Sequence, residues 1–236
     1  MNAPPAPPLS EAETALAKAR VAKAAVDEIR DGMIVGLGTG STAALAIEAL
    51  GHRVAEGLAV TTVASSLASE RLAIRAGITV IPFDDIARID IAIDGADEID
   101  AGFRAIKGGG GALLREKIVA RSAEQMICIV DAGKVTERLG RGPIPVEVLP
   151  FARAFVADAI QSLWGEARLR QAGNSPVITD QGNLLLDCFF ADLPDPEKLA
   201  WQLQSIPGLI AHGLFLSEID VVLLGERSGV SRHKRV

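Results

Sequence analysis

The chain has 236 residues, 49% of them apolar, which is enough to bury a core in one large domain or in a domain with a smaller companion. A net charge of −6 and an isoelectric point near 5.2 argue against nucleic acid as a principal partner. No stretch is apolar for long enough to span a bilayer, so no membrane partner is expected. The opening MNAPPAPPLS lacks the basic-then-apolar order of a signal peptide, and residues 1–10 read as a disordered lead to a cytoplasmic protein. Ser10 and Glu13 stand at capping-box spacing before an alanine-rich helix that runs to about Arg30. DGMIVGLGTGSTAALAIEAL then gives a turn, a short apolar strand, a Gly/Thr/Ser loop and a second helix. GLAVTTVAS is a strand, and SERLAIRAG a helix stopped by Gly77. ITVIPF and IDIAIDGADEID add two strands, the second running into an acidic loop. A block of glycines, Gly108 to Gly111, leads into another helix, and QMICIVDAGK is a buried strand with a polar exit. Cys128 and Cys188 lie in apolar, strand-like runs and read as buried, inert thiols rather than a disulfide.

Strands alternating with helices predict an α/β fold, a Rossmann-like doubly wound parallel sheet over residues 11–143. The polar loops fall at the carboxyl ends of its strands, where open α/β sheets bind ligands. After Pro143 the pattern changes to strand (IPVEVLP), helix (FARAFVADAIQSLW), strand (EARLRQ) and hairpin (PVITDQGNLLLDCFF, turning near Asp180–Asn183). A helix (DPEKLAWQLQSI) and GLIAHGLF complete a β-α-β-β-α-β order, which predicts a smaller α+β, ferredoxin-like domain over 144–213. IDVVLLGE has the continuous apolar character of a buried parallel strand and should return residues 214–230 to the first sheet, making the small domain an insertion. The closing SRHKRV, 231–236, reads as a solvated basic tail.

Three loops carry the chemistry. GLGTGST, Gly36 to Thr42, lies between a strand and a helix, where backbone N–H groups and a helix N-terminus suit a phosphate. Its G-x-G-x-G spacing departs from the dinucleotide pattern and it lacks the Walker lysine, leaving a small phosphorylated ligand or a plain tight turn. DGADEID gathers Asp94, Asp97, Glu98 and Asp100, which repel one another unless a metal, a cation or hydroxyl groups engage some of them; a solvated acidic loop is the alternative. Lys107 and the glycine amides could supply the positive counterpart. His52, His212 and His233 are scattered, which leaves oxygen-only ligation of magnesium by the acidic loop as a minor option and no metal as the expectation.

A run of four glycines entering a helix needs a reason, since each costs about 0.5–1 kcal/mol relative to alanine in a helix interior. On the helix after the block, Ala112, Leu113, Val119 and Ala120 form one apolar arc, with Glu116 inside it and Lys117 and Arg121 on the charged side. Burial there would raise the Glu116 pKa toward that of a general base; a surface glutamate is the competing reading. Bare backbone amides with Lys107 on one side and Glu116 on the other suit proton abstraction beside a carbonyl.

GLGTGST, DGADEID and KGGGGALLREK, in this order and spacing, with DAGK at 131–134 and the PVEVLP run, resemble ribose-5-phosphate isomerase type A over nearly the whole chain, from about Glu11 to Val230. The resemblance implies interconversion of ribose 5-phosphate and ribulose 5-phosphate through an enediolate, with no metal and no cofactor, in the non-oxidative pentose phosphate branch. It implies Glu116 as the proton-transfer base, Asp94 as an acid/base group in ring opening, Asp97 as a ligand of the sugar hydroxyls and Lys107 as the cation beside the enediolate oxygen. Thr39, Gly40, Ser41 and Thr42, Gly95 and Ala96 beside Asp94 and Asp97, and Gly108, Gly109 and Gly110 after Lys107 match substrate-binding loops. Lys134 and Lys18 match lysines that bind substrate at its phosphate. The segment VASSLASERL, 63–72, departs from the family's Thr/Ser-rich loop, although Ser65, Ser66 and Ser69 keep hydroxyls there. The resemblance also implies a homodimer or homotetramer, and the sequence does not distinguish the two. The competing classes are a sugar-phosphate sensor, for which the acidic chain has no length to spare for a DNA-binding unit, and related-scaffold enzymes. Of these, a deaminase would want a histidine beside the acidic motif, and a CoA transferase would use Glu116 as nucleophile.

Overall fold

The computed structural model describes residues 9–191, 193 and 195–235. In chain order the first part runs α1 (Glu11–Val26), β1 (Ile34–Leu37), α2 (Ser41–Ala55), β2 (Thr61–Ala64), α3 (Leu67–Arg75), β3 (Ile89–Asp94), β4 (Glu98–Ile99), β5 (Ala105–Ile106), α4 (Leu113–Ser122) and β6 (Ala123–Asp131). The second part runs β7 (Ile144–Val148), α5 (Arg153–Ser162), β8 (Gly165–Leu169), β9 (Gln171–Ala172), β10 (Ser175–Pro176), β11 (Leu184–Phe190), α6 (Pro196–Gln204) and β12 (Leu209–His212). β13 (Leu214–Phe215), β14 (Val221–Glu226) and β15 (Gly229–Lys234) close the chain. The lead expected at 1–10 lies outside the described residues apart from Leu9 and Ser10. There the capping box forms, with Ser10 Oγ accepting from Glu13 N and Glu13 accepting from Ser10 N. The helix ends at Val26, capped by Asp27, a few residues before the expected Arg30.

The main sheet is six-stranded, in the order β15-β14-β6-β3-β1-β2, parallel throughout except for the β14–β15 pair. Successive side chains of a strand point to opposite faces, and the core divides accordingly. Leu37, Ile93, Ile127, Ile129 and Val221 pack with α1, α2 and α3 on one face. Ala92, Met126, Cys128 and Val130 pack with Val119 and Ala120 of α4 and with Phe215 on the other. Both cysteines are free and buried, as their sequence context suggested. From β1 the chain steps outward to β2 and then crosses back to β3 on the far side of β1. The crevice at the carboxyl ends of β1 and β3 is therefore the place where open α/β sheets hold ligands.

Residues 144–212 form a four-stranded antiparallel sheet, order β12-β7-β11-β8, with α5 and α6 packed in its core cluster. A short ribbon, β13-β5-β4, joins the two sheets, and backbone bonds from Lys107 N to Gly213 O and from Gly213 N to Pro145 O tie the seam. No helix among the described residues is long and apolar enough to cross a membrane.

Two elements at the edges of the main sheet differ from expectation. ITVIPF is not a strand. Val80 makes a single parallel bridge to Thr62 beyond the β2 edge, and Pro82, with no N–H, cannot extend it. The basic end is not a free tail either. Residues 229–234 form β15, in register with β14 from Val221↔Lys234 to Glu226↔Gly229, and Arg235 donates to Ile219 O and Phe103 O. Charged side chains on an edge strand discourage pairing with other chains, which explains a strand with the composition of a tail. Removing residues 229–236 should expose the apolar β14 edge, lower Tm by roughly 5–10 °C and promote self-association. Thermal denaturation and size-exclusion chromatography check this, and an unchanged Tm with a monodisperse profile would contradict the edge-strand reading.

Candidate active site

Asp94 ends β3 beside the turn that leaves β1. A Cβ on Gly38 would lie 2.2 Å from the Asp94 carboxylate, so only glycine lets the two strand ends approach this closely. Asp94 Oδ1 accepts from Thr39 N at 3.0 Å and from Gly95 N at 2.7 Å, while Oδ2 accepts from Lys107 Nζ at 2.8 Å. Lys107 Nζ also donates to Gly95 O and lies 3.4 Å from Glu116 Oε2. That last approach is an ion pair without hydrogen-bond geometry, leaving Glu116 Oε2 a buried oxygen with no donor. Asp94, Lys107 and Glu116 are 4%, 3% and 4% exposed, so two carboxylates and one ammonium share a nearly dry cluster.

Burial dominates Glu116: it disfavours the charged form more than Lys107 restores it, Asp94 adds repulsion, and the carboxyl is pushed up to about 7. For Lys107 burial pulls the pKa down, but Asp94 and Glu116 outweigh it and hold the ammonium above the ordinary lysine value. The Lys107 ammonium also lies 5.4 Å from the centroid of the Phe215 ring. The Cys128 thiol, buried nearby, is pushed up to about 12, chiefly by desolvation, and stays protonated.

The glycine block wraps the open side of this cluster. Gly108 has φ 107°, and a Cβ there would lie 2.9 Å from Leu113, so the chain turns into α4 in a conformation that side chains resist. Gly109 N donates to Asp97 Oδ2 at 2.8 Å. The acidic run thus divides by role. Asp94 and Asp97 serve the site, whereas Glu98 accepts from the amides of Gly140, Arg141 and Gly142, and Asp100 pairs with Arg104. At the other end α2 starts from Gly40 with no side-chain cap, leaving its first amides for a ligand. Lys18 Nζ donates to Ser41 Oγ at 3.1 Å, and Lys134 closes the short turn after β6.

One cavity, open to solvent, is lined by every residue that the resemblance assigns to the site except Asp94, which is buried behind Lys107 and Thr39. The Thr39 hydroxyl faces away from any ligand role, into a buried cluster with Ser65, Ser66 and Ser69, whose last hydroxyl donates to Gly38 O at 2.6 Å. The hydroxyls of the divergent 63–72 segment therefore brace the loop from behind. Lys117 is not on a charged face as expected. It is buried, donates to His212 O at 2.7 Å and Leu214 O at 2.8 Å, and lies 4.7 Å from the Phe215 ring centroid. Helix α4 is covered on two sides, by the main sheet and by the β12–β13 strands, so a single buried arc does not describe it. Desolvation lowers the Lys117 pKa to about 8. Phe215 and Arg170, which contacts Gly108 and Gly109 from 62 and 61 residues away, carry no local sequence signal.

Free amides and lysines at one end, and a buried carboxylate–ammonium cluster at the other, have the chemistry to hold a small anionic ligand beside a group able to exchange a proton. Comparison with known proteins narrows this. The profile of the family ribose 5-phosphate isomerase A (phosphoriboisomerase A) matches residues 61–229. Ribose-5-phosphate isomerase A of Sphingopyxis alaskensis is 48% identical over 218 residues, covering 92% of this chain and 96% of the relative. That of Thermosynechococcus vestitus is 48% identical over 211 residues, covering 87% and 89%. Among solved structures, ribose 5-phosphate isomerase A from Methanocaldococcus jannaschii superposes with a TM-score of 0.90 at 40% identity, over 94% of this chain and 99% of the other. A D-ribose-5-phosphate isomerase in complex with phospho-erythronic acid gives 0.90 at 37% identity, over 94% and 99%. The chain belongs to the ribose 5-phosphate isomerase A family.

An ionised Glu116 weighs on the fold. Its carboxyl titrates near 7 when folded against 4.5 when exposed, so between those values the folded chain binds the extra proton and stability falls as pH rises. Glu116→Gln removes that term. The variant should melt above the parent at pH 8 and close to it near pH 4.5, as scanning calorimetry would show; a variant less stable than the parent at pH 8 would contradict the burial argument.

Proposed function

We propose that this chain interconverts D-ribose 5-phosphate and D-ribulose 5-phosphate by proton transfer through an enediolate, with no metal in the step. The observation that carries the mechanism is Glu116: a buried carboxylate oxygen with no donor, bordering the cavity, with a pKa raised to about 7. On the open-chain aldose, Glu116 takes the C2 proton and returns it to C1, acting first as base and then as acid. Meanwhile one proton moves from O2 to O1, converting the C1 aldehyde to an alcohol and C2 to the ketone. Negative charge develops on these oxygens beside Lys107, whose ammonium is already fixed by Asp94 and needs no reorganisation. In this arrangement both Asp94 oxygens are engaged, so its part in ring opening and in moving the hydroxyl protons passes through Lys107. Asp97 and the Gly95–Ala96 backbone border the sugar hydroxyls. The α2 N-terminus, Ser41, Thr42, Lys18 and Lys134 take the phosphate.

The metal-free reading draws support from Lys107, which supplies between the carboxylates the positive charge a metal would bring. Helices on both faces of the main sheet favour a doubly wound, Rossmann-like reading, with residues 144–213 as an inserted ferredoxin-like unit whose strand order fits the split βαβ pattern. We further infer a cytoplasmic enzyme of the non-oxidative pentose phosphate branch. Fully or largely exposed Phe151, Phe155, Trp164 and Trp201 on and beside α5 and α6 favour a homodimer or homotetramer.

The test follows ribulose 5-phosphate formation in EDTA-containing buffer. Parent activity should persist in EDTA and fall about 10²–10⁴-fold in Glu116→Gln. Because the base acts deprotonated, parent kcat/KM should drop about tenfold per pH unit below about 7. An inactive parent that still binds the sugar phosphate would sink the isomerase reading. Full activity in Glu116→Gln would remove Glu116 as the base.

A further inference from the structure

Arg170 lies between β8 and β9 and reaches across the seam to the glycine block. Its Nη1 donates to Gly108 O at 2.8 Å and to Gly109 O at 3.1 Å, while Nε and Nη2 grip both oxygens of Asp187 on β11, with Nε–Oδ2 at 3.0 Å. One guanidinium thus holds two successive peptide groups. The first, Gly108–Gly109, is fixed at both ends: its carbonyl accepts from Arg170 and its amide donates to Asp97. In the second, Gly109–Gly110, the carbonyl is held in the same way, and in a trans peptide the N–H points opposite to the C=O. The Gly110 amide therefore points away from Arg170. It finds no acceptor among the described residues, and Gly110 lines the cavity.

We propose that Arg170 is a positioning residue that aims the Gly110 N–H into the cavity as a fixed donor for an anionic oxygen of the substrate. Without the fork the Gly109–Gly110 peptide can rotate, since glycine places little restriction on its flanking dihedrals. The donor would then have to be reoriented in each catalytic cycle. Asp187 keeps the guanidinium in plane, a bidentate arrangement that lysine cannot reproduce. The proposal takes the substrate from the isomerase reading above, while the geometry stands without it.

The test compares the full chain with Arg170→Met and Arg170→Lys, measuring kcat and KM for ribose 5-phosphate, Kd for inorganic phosphate and for phospho-erythronic acid, and Tm. Arg170→Met should stay folded and lose about tenfold or more in kcat/KM, with Arg170→Lys recovering only part. A loss confined to KM with weaker phosphate binding places the donor on the phosphoryl group. A loss in kcat and in phospho-erythronic acid affinity, with phosphate Kd unchanged, places it on the developing enediolate oxygen. A folded Arg170→Met with kcat/KM and both Kd values within about twofold of the parent overturns the proposal, whatever happens to Tm. If the parent does not isomerise but Arg170→Met still weakens anion binding, the isomerase reading falls and this one stands. Should neither variant fold, the parent labelled with 15N-glycine decides: the Gly110 amide resonance should move downfield on adding either anion, and an unmoved resonance overturns the proposal.

Discussion

The site depends on one ammonium held out of water. Lys107 lies between Asp94 and Glu116, and each partner alone would be a costly group to bury, several kcal/mol per ion after relaxation. The cluster carries two negative charges against one positive, so one carboxyl must carry the strain. Asp94 is the better solvated by the protein, with two backbone amides on one oxygen and Lys107 on the other. Glu116 has only the long approach of Lys107 and no hydrogen bond at Oε2. Unequal satisfaction of two carboxylates around one cation therefore makes Glu116 the group whose proton affinity suits reversible transfer near neutral pH.

The surrounding fold serves this geometry. The crossing from β2 back to β3 brings the end of β1 against Asp94, and glycine at 38 removes the side chain that would keep them apart. The β13-β5-β4 ribbon and the Lys107–Gly213–Pro145 backbone chain lock the position of Lys107 to the second sheet. Lys117 ties α4, and with it Glu116, to the strand end that carries Phe215. The glycine run thus serves two ends: Gly108 makes the turn into α4, and the next peptides present their amides to Asp97 and to the cavity.

Much of this was legible in the chain because the site is built from consecutive segments at strand ends. A polar loop directly after an apolar run marks the carboxyl edge of a parallel sheet, so the sequence alone places 39–42, 94–97 and 107–110 together. Of the two readings that the apolar arc left open for Glu116, buried or on the surface, the fold takes the buried one. The same arc misplaced Lys117, since periodicity shows one buried face and α4 has two. ITVIPF has strand composition, but a proline and a place beyond the sheet edge leave it with one bridge. β15 hid behind its charges, which are typical of an edge. Arg170 and Phe215 act across long sequence separations, where no local pattern points to the partner. The hydroxyls of Ser65, Ser66 and Ser69 were noticed, but their grip on Thr39 from behind the loop is a tertiary fact.

Within the buried cluster of Lys107, Asp94 and Glu116, the proton that burial favours is held by Glu116. The most direct measurement is the titration of the Glu116 carboxyl itself, by carbon-13 NMR or difference infrared spectroscopy with Glu116→Gln as the assignment control. The account predicts a carboxyl titrating near 7 in the parent and higher still in Lys107→Met, where the compensating charge is gone. A Glu116 carboxyl that titrates near the exposed value of 4.5, unaffected by Lys107→Met, would contradict it.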